Sequence, residues 1–119
     1  MKLAIVGSRD FSDYNFLKQN VLELMESHSF KFTHIVSGGA KGADTLGHRF
    51  AMEHQLEMIV FKPDWKRFGK RAGYIRNTDI IENSDIVIAF WDGISPGTKD
   101  SIDKALNLNK QVIIKKFTS

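Results

Sequence analysis

The chain has 119 residues, 42% of them hydrophobic and 26% charged, the balance of one folded domain over residues 1–119, which excludes a disordered chain. It contains no cysteine, so a disulfide framework, a thiolate zinc site and a thiol nucleophile are excluded as well. A net charge of +3 favours anionic partners without saying which. No apolar stretch approaches the roughly 20 residues of a membrane span, and the run from Met1 to Val6 is too short for a signal segment. The expectation is a cytoplasmic protein with no membrane partner.

The first strand is expected over Lys2 to Val6, and Gly7-Ser8-Arg9 ends it. A helix follows, with Phe16, Leu17, Val21, Leu24 and Met25 at intervals of three and four residues and Asp13 as its N-cap. The second strand, Thr33 to Val36, runs into Ser37-Gly38-Gly39-Ala40-Lys41-Gly42-Ala43-Asp44. Three glycines within five residues let the backbone turn sharply, and a helix from about Ala43 to His54, with Leu46, Phe50 and Ala51 inward, starts at once. Strand, glycine-rich turn and helix start together make a phosphate-binding geometry, since unpaired N–H groups point above the strand end.

The third strand is expected over Glu57 to Phe61. The connection from Lys62 to Arg71 has no periodicity, bears Pro63, Trp65, Phe68 and Gly69, and is read as a functional loop. With Arg76 it forms a basic cluster of Lys62, Lys66, Arg67, Lys70 and Arg71, suited to a phosphorylated small molecule or a nucleic-acid backbone. A third helix from about Ala72 to Asn83 carries Ile75, Ile80 and Ile81, with Arg76 and Asn77 near its start. Asp85 to Phe90 reads as the fourth strand, followed by Trp91-Asp92-Gly93-Ile94-Ser95-Pro96-Gly97-Thr98. The last helix opens near Gly97-Thr98, places Ile102, Ala105, Leu106 and Leu108 inward and ends at Asn109, before a fifth strand over Gln111 to Lys115.

Strand and helix alternate throughout, which predicts an α/β fold: a single Rossmann-like three-layer sandwich around a mainly parallel sheet of about five strands. In such a sheet ligands bind at the carboxyl ends of the strands, where strand order reverses. The exits of the first, second and fourth strands are all rich in Gly, Ser or Thr, whereas those at the opposite edge read as plain connectors.

The individual residues leave alternatives open. Arg9 suits a bidentate contact to phosphate or an ion pair with Asp10 or Asp13. Lys41 suits an exposed phosphate contact, and Asp44 either caps its helix or receives ribose hydroxyls. Gly97-Thr98 is a second phosphate site, or Ser95 or Thr98 is an ordinary N-cap. Trp65, Phe68 and Trp91 stack on a base or serve in packing. The four histidines show no metal spacing, so no metal site is expected. Neither a G-x-G-x-x-G fingerprint nor a Walker loop is present, which argues against a dehydrogenase or P-loop NTPase.

Taken in order, Gly7-Ser8-Arg9-x-Phe11, Ser37-Gly38-Gly39-Ala40-x-Gly42-Ala43-Asp44, Asp64-Trp65, Gly69-Lys70, Ala72-Gly73, Arg76-Asn77, Phe90-Trp91-Asp92-Gly93 and Ser95-x-Gly97-Thr98 resemble the SLOG superfamily. This group joins Smf/DprA and LOG-like proteins, and the likeness is to its small YspA-like branch, frequent in bacterial and phage genomes. The resemblance implies a nucleotide, ADP-ribose-like or nucleotide-sugar-like ligand, no required cofactor, and a homo-oligomer. The LOG phosphoribohydrolases look like P-G-G-x-G-T-x-x-E with a preceding Arg-Lys pair. Here Ser101 takes the Glu position and Asn77 the Lys position, while Asp100 is rotated by about 100° on the helix, which argues against LOG-type hydrolysis. Three readings follow. A nucleotide-binding sensor or sequestering protein leads; a hydrolase using Asp44, Asp92 or Asp100 and a DprA-like binder of single-stranded nucleic acid are the alternatives.

Overall fold

A computed structural model describes residues 1–118. Its elements are β1 (Lys2–Gly7), α1 (Tyr14–Ser27), β2 (His34–Ser37), α2 (Ala43–Glu53) and β3 (Glu57–Val60), then α3 (Trp65–Phe68), α4 (Ala72–Glu82), β4 (Ile86–Trp91), α5 (Pro96–Asn107) and β5 (Gln111–Lys116). Each expected strand lies within a residue of an observed one at either end. Gly7, Ser37 and Trp91 are thus the last residues of their strands rather than loop residues.

All five strands are parallel, in the order β3-β2-β1-β4-β5, so the fold is the Rossmann-like α/β arrangement expected. Side chains alternate across the sheet as the two-residue strand period requires. Leu3, Ile5, Ile35, Ile86, Ile88 and Phe90 pack with Leu17, Val21, Leu24, Phe50 and Ala51 of α1 and α2. Ala4, Val6, Val36, Val87 and Ala89 face Ile80, Ile81, Ile102 and Ala105 of α4 and α5 on the other side. Each face of β1 and β4 is covered, which explains their near-continuous apolar sequence.

Asp13 caps α1 as expected, its carboxylate accepting the Phe16 N–H at 3.1 Å. Three sequence expectations need correction. The connection from Lys62 to Arg71 is not structureless: it holds α3 and a 3₁₀ turn over Gly69–Arg71, too short to show a period, and Asp64, which accepts the Arg67 N–H, was the available signal. α5 begins at Pro96, whose fixed φ and missing N–H suit a first helical position. Leu106 and Leu108 point outward, 56% and 47% exposed, because Ile102 and Ala105 already fill the sheet-facing stripe of α5. Among the described residues no helix is long and apolar enough to cross a membrane.

Candidate functional site

Strand order decides where a crevice opens. The chain runs outward from β1 through β2 to β3, then returns to β4 on the other side of β1. The loops leaving β1 and β4 therefore diverge to opposite faces of the sheet, and a cleft forms between them. A cavity of about 470 Å³ lies there.

Four segments build it. β1 supplies Gly7, Ser8 and Arg9; the β2 exit supplies Ala40 and Asp44; α4 supplies Arg76 and Asn77; and the β4–α5 segment supplies Asp92, Ser95, Gly97 and Thr98. The sequence reading thus brought together residues that are up to 91 positions apart. It missed Val6, Asp10, Ile80 and Pro96, and it treated Ser101 only as a substitution, although Ser101 also lines the cavity. Ile80 was within reach of a pattern argument, since it follows Arg76 and Asn77 by four and three positions on one helix face.

The other expected residues lie outside the lining. Ser37 and Gly38 are buried in the loop that carries Ala40 and Asp44, whereas Gly39 and Lys41 are exposed and Gly42 is half-buried. Gly42, at φ +80°, lets the two loops touch: the Ala43 N–H donates to the Ser8 carbonyl at 3.4 Å, and a Cβ on Gly42 would stand 2.6 Å from the Arg9 carbonyl oxygen. Trp91 is engaged in packing rather than stacking, its indole N–H donating to the Ser95 carbonyl at 3.1 Å while Lys116 lies over the ring. Trp65 is 53% exposed on α3 beside Gly73, away from the cavity. Lys62, Lys66, Arg67, Lys70 and Arg71 are exposed and do not line it either.

Asp44 does not cap α2. It is 7% exposed, and its Oδ2 accepts the N–H groups of Gly38 and Ala40, both at 3.1 Å, so the carboxylate reaches back across the loop instead of along its own helix. Gly42 occupies the cap position with no side chain to offer. The Gly39 N–H points to the Ser37 hydroxyl, so consecutive amides of the glycine-rich turn are already paired within the loop. Asp44 Oδ1 has no protein partner among the described residues and retains contact with the cavity. Burial raises the Asp44 pKa, against the lowering effects of the Ala40 amide, Arg76, the Gly38 amide and Arg9.

Arg76 spans the two sides of the site. Its Nη1 donates to the Gly38 carbonyl at 2.8 Å and its Nε to Asn77 Oδ1 at 3.1 Å. Asn77 Nδ2 in turn donates to the Gly97 carbonyl and to Asp100 Oδ2, each at 3.2 Å, and Lys104 also holds Asp100. Burial lowers the Arg76 pKa; Asp44 raises it and Arg9 lowers it further. Arg9 itself is exposed and makes no ion pair among the described residues, so the alternative pairing with Asp10 or Asp13 is not formed.

The β4–α5 turn is shaped by Asp92. Its Oδ1 accepts the Ile94 and Ser95 N–H groups at 2.8 Å each, and its Oδ2 accepts the Ser95 hydroxyl at 2.8 Å. Those amides hold its pKa below the usual carboxylate range. Ser95 is therefore the cap residue by position, but its hydroxyl serves Asp92 rather than the helix. The amides of Gly97 and Thr98 have no protein acceptor among the described residues, and the Thr98 hydroxyl, on a residue 5% exposed, has no protein partner either. Free N–H groups and a free hydroxyl at a helix start, on a cavity that an unpaired arginine also lines, form an anion-receiving corner. Among the described residues no three His, Asp or Glu side chains converge as metal ligands.

Comparison with known proteins gives a consistent picture. The chain is 29% identical over 118 residues to the Gene 61 protein of Mycobacterium phage D29, covering 94% of each. Its fold is similar to DNA processing protein A from Streptococcus pneumoniae, with a TM-score of 0.73 at 23% identity, covering 95% of this chain and 49% of that one. DNA processing protein A from Helicobacter pylori, described for its single-stranded DNA binding mode, gives 0.70 at 24% identity over 96% of this chain and 64% of that one. TM1055 gives 0.64 at 22% identity over 93% and 71%. The chain thus spans 49% and 64% of the two DprA chains. A sequence profile of the YspA, cpYpsA-related SLOG family matches residues 1–68, more than half of the chain, and the protein belongs to that family.

Proposed function

We propose that the protein binds a phosphorylated nucleoside derivative, of nucleotide, ADP-ribose or nucleotide-sugar type, at the C-terminal edge of the sheet, as a sensor or sequestering protein. The observation that carries this reading is the start of α5, where the Gly97 and Thr98 amides and the Thr98 hydroxyl lack protein partners among the described residues, on a cavity that unpaired Arg9 also lines. A phosphate there would receive backbone N–H groups, a hydroxyl and a guanidinium together. Membership of the SLOG family supports a nucleotide-type ligand.

The hydrolase alternative finds less support in the carboxylates. Asp92 is fully engaged in shaping its turn, Asp100 is held by Asn77 and Lys104, and Asp44 gives one oxygen to two amides. A homo-oligomer belongs to the same proposal, and light scattering on the purified chain measures it directly.

The test is a thermal-shift panel of ribonucleoside mono- and diphosphates, ADP-ribose and nucleotide sugars. A true ligand at about 100 times its Kd adds ~2.7 kcal/mol and raises Tm by several degrees. Arg9→Ala and Thr98→Val should each remove most of that shift while leaving the Tm of the free protein unchanged. A panel without any saturable shift defeats the reading.

One observation favours a second reading. Lys62, Lys66, Arg67, Lys70 and Arg71 are exposed, as is Trp65 within the same stretch of chain, a composition suited to a single-stranded nucleic acid, with cations on the backbone and the indole under a base. An oligonucleotide bound with a steep salt dependence, lost in a Lys66→Ala/Arg67→Ala/Lys70→Ala variant, would establish it.

A further inference from the structure

The two ends of the cavity differ in what they offer a ligand, and Asp44 makes the difference. At the α5 end donors are free. At the β2 end the Gly38 and Ala40 amides, which would otherwise receive an anion, already end on Asp44 Oδ2 at 3.1 Å. The carboxylate thus fills from within the place that a phosphate would take in an open glycine-rich turn. Its other oxygen, Oδ1, has no protein partner among the described residues and belongs to a residue 93% withdrawn from solvent that lines the cavity. An ionised carboxylate oxygen is an acceptor only, so it takes hydroxyl donors and repels phosphate oxygens.

We infer that Asp44 is a specificity determinant that admits a sugar through its free vicinal hydroxyls and excludes ligands carrying phosphate on that diol. The inference rests on the phosphate docking at α5 proposed above. Arg76 does not reverse it. Its Nη1 and Nε are committed to the Gly38 carbonyl and Asn77 Oδ1, which hold the guanidinium against the loop. Arg9 makes no ion pair among the described residues and lines the same cavity, its charge felt at both Asp44 and Arg76; once engaged by the proposed phosphate it no longer serves the diol. A cavity of about 470 Å³ is at the lower end of the range for small-molecule sites, consistent with one nucleoside and its phosphate.

Calorimetry on the full chain with AMP, GMP, CMP and UMP selects the tightest monophosphate, which is then compared with its 2′,3′-dideoxy form and with its 2′- and 3′-phosphorylated forms. Loss of the diol should weaken binding ~10-fold or more, and phosphate on the diol by ~100-fold, because an acceptor that the ligand shuts off from water is left unpaired in one case and faces like charge in the other. Asp44→Asn keeps an oxygen for the two loop amides and turns an N–H₂ group to the cavity, so the penalty for the phosphorylated diol should fall by ~10-fold. Should that variant fail to fold, the wild-type comparison decides alone. A phosphorylated-diol form binding within ~3-fold of its parent overturns the inference. If Thr98→Val still weakens both forms in that case, the α5 phosphate site stands without it. No binding by any of the four monophosphates overturns the inference, whereas the α5 reading falls only if the diphosphates, ADP-ribose and nucleotide sugars of the thermal-shift panel fail as well.

Discussion

The β2–α2 turn and the β4–α5 turn look alike in sequence, each a strand end, a glycine-bearing loop and a helix start, yet they differ in what their amides do. In the first, Gly38, Gly39 and Ala40 point to side chains of Ser37 and Asp44, and Ala43 points to the Ser8 carbonyl. In the second, Asp92 gathers the loop amides of Ile94 and Ser95, two and three residues on, and leaves those of Gly97 and Thr98 outside its reach. The glycine stretch Gly38–Ala40 of the first turn is closed by its own side chains, whereas the Gly97 and Thr98 amides of the second have no protein acceptor among the described residues. The lesson is that a glycine-rich turn is a phosphate cradle only when no side chain of its own has taken the donors.

Glycine substitution separates the two turns most sharply. Gly42→Ala puts a Cβ against the Ser8 and Arg9 carbonyls at a positive φ, and should cost more than ~2 kcal/mol in urea unfolding. Gly97→Ala meets nothing within 4 Å and should leave stability within ~0.5 kcal/mol. Equal losses in the two variants would break the contrast.

Asn77→Ala tests whether the two turns are braced together. It leaves the Arg76 Nε–H without its partner and takes one donor from the Gly97 carbonyl, which keeps the Ser101 hydroxyl, and a loss of ~1–3 kcal/mol is expected from the buried side chain. Amide hydrogen exchange should rise at both Gly38–Ala40 and Gly97–Asp100, whereas a rise on one side only would show that the turns are independent.

The smallest effect concerns charge. Burial raises the Asp44 pKa above 3.8, so its ionisation opposes folding. Below pH 3.8 the group is protonated in both folded and unfolded chains and that penalty is absent; it develops as pH rises through the raised folded value. Asp44→Asn should therefore match the wild type in Tm in acid and equal or slightly exceed it at neutral pH. A variant that loses stability relative to wild type as pH rises would show that Arg76 and Arg9 outweigh burial.

Much of this was legible in the chain itself, and for identifiable reasons. The β-branched runs, the three-and-four spacing of Leu17, Val21 and Leu24, and Asp13 ahead of its helix are local signals, and they placed the elements within a residue or two at most ends. Gly7, Ser8, Arg9, Gly97 and Thr98 could be assigned to one edge because every crossover in a parallel sheet returns the chain to the same side. The sequence by itself thus determined the layers, the edge and the small polar residues gathered there. Only the tertiary structure decided that β1 lies against β4, which sets the cleft at their exits, since strand order depends on pairings between residues more than 80 positions apart. It alone decided that Arg76 reaches the Gly38 carbonyl, and that Asp44 turns away from its own helix to close the loop before it. A carboxylate's spacing from a glycine turn is the same whether it caps a helix or fills the turn. Which amides it meets depends on how the packed elements fold the loop around it.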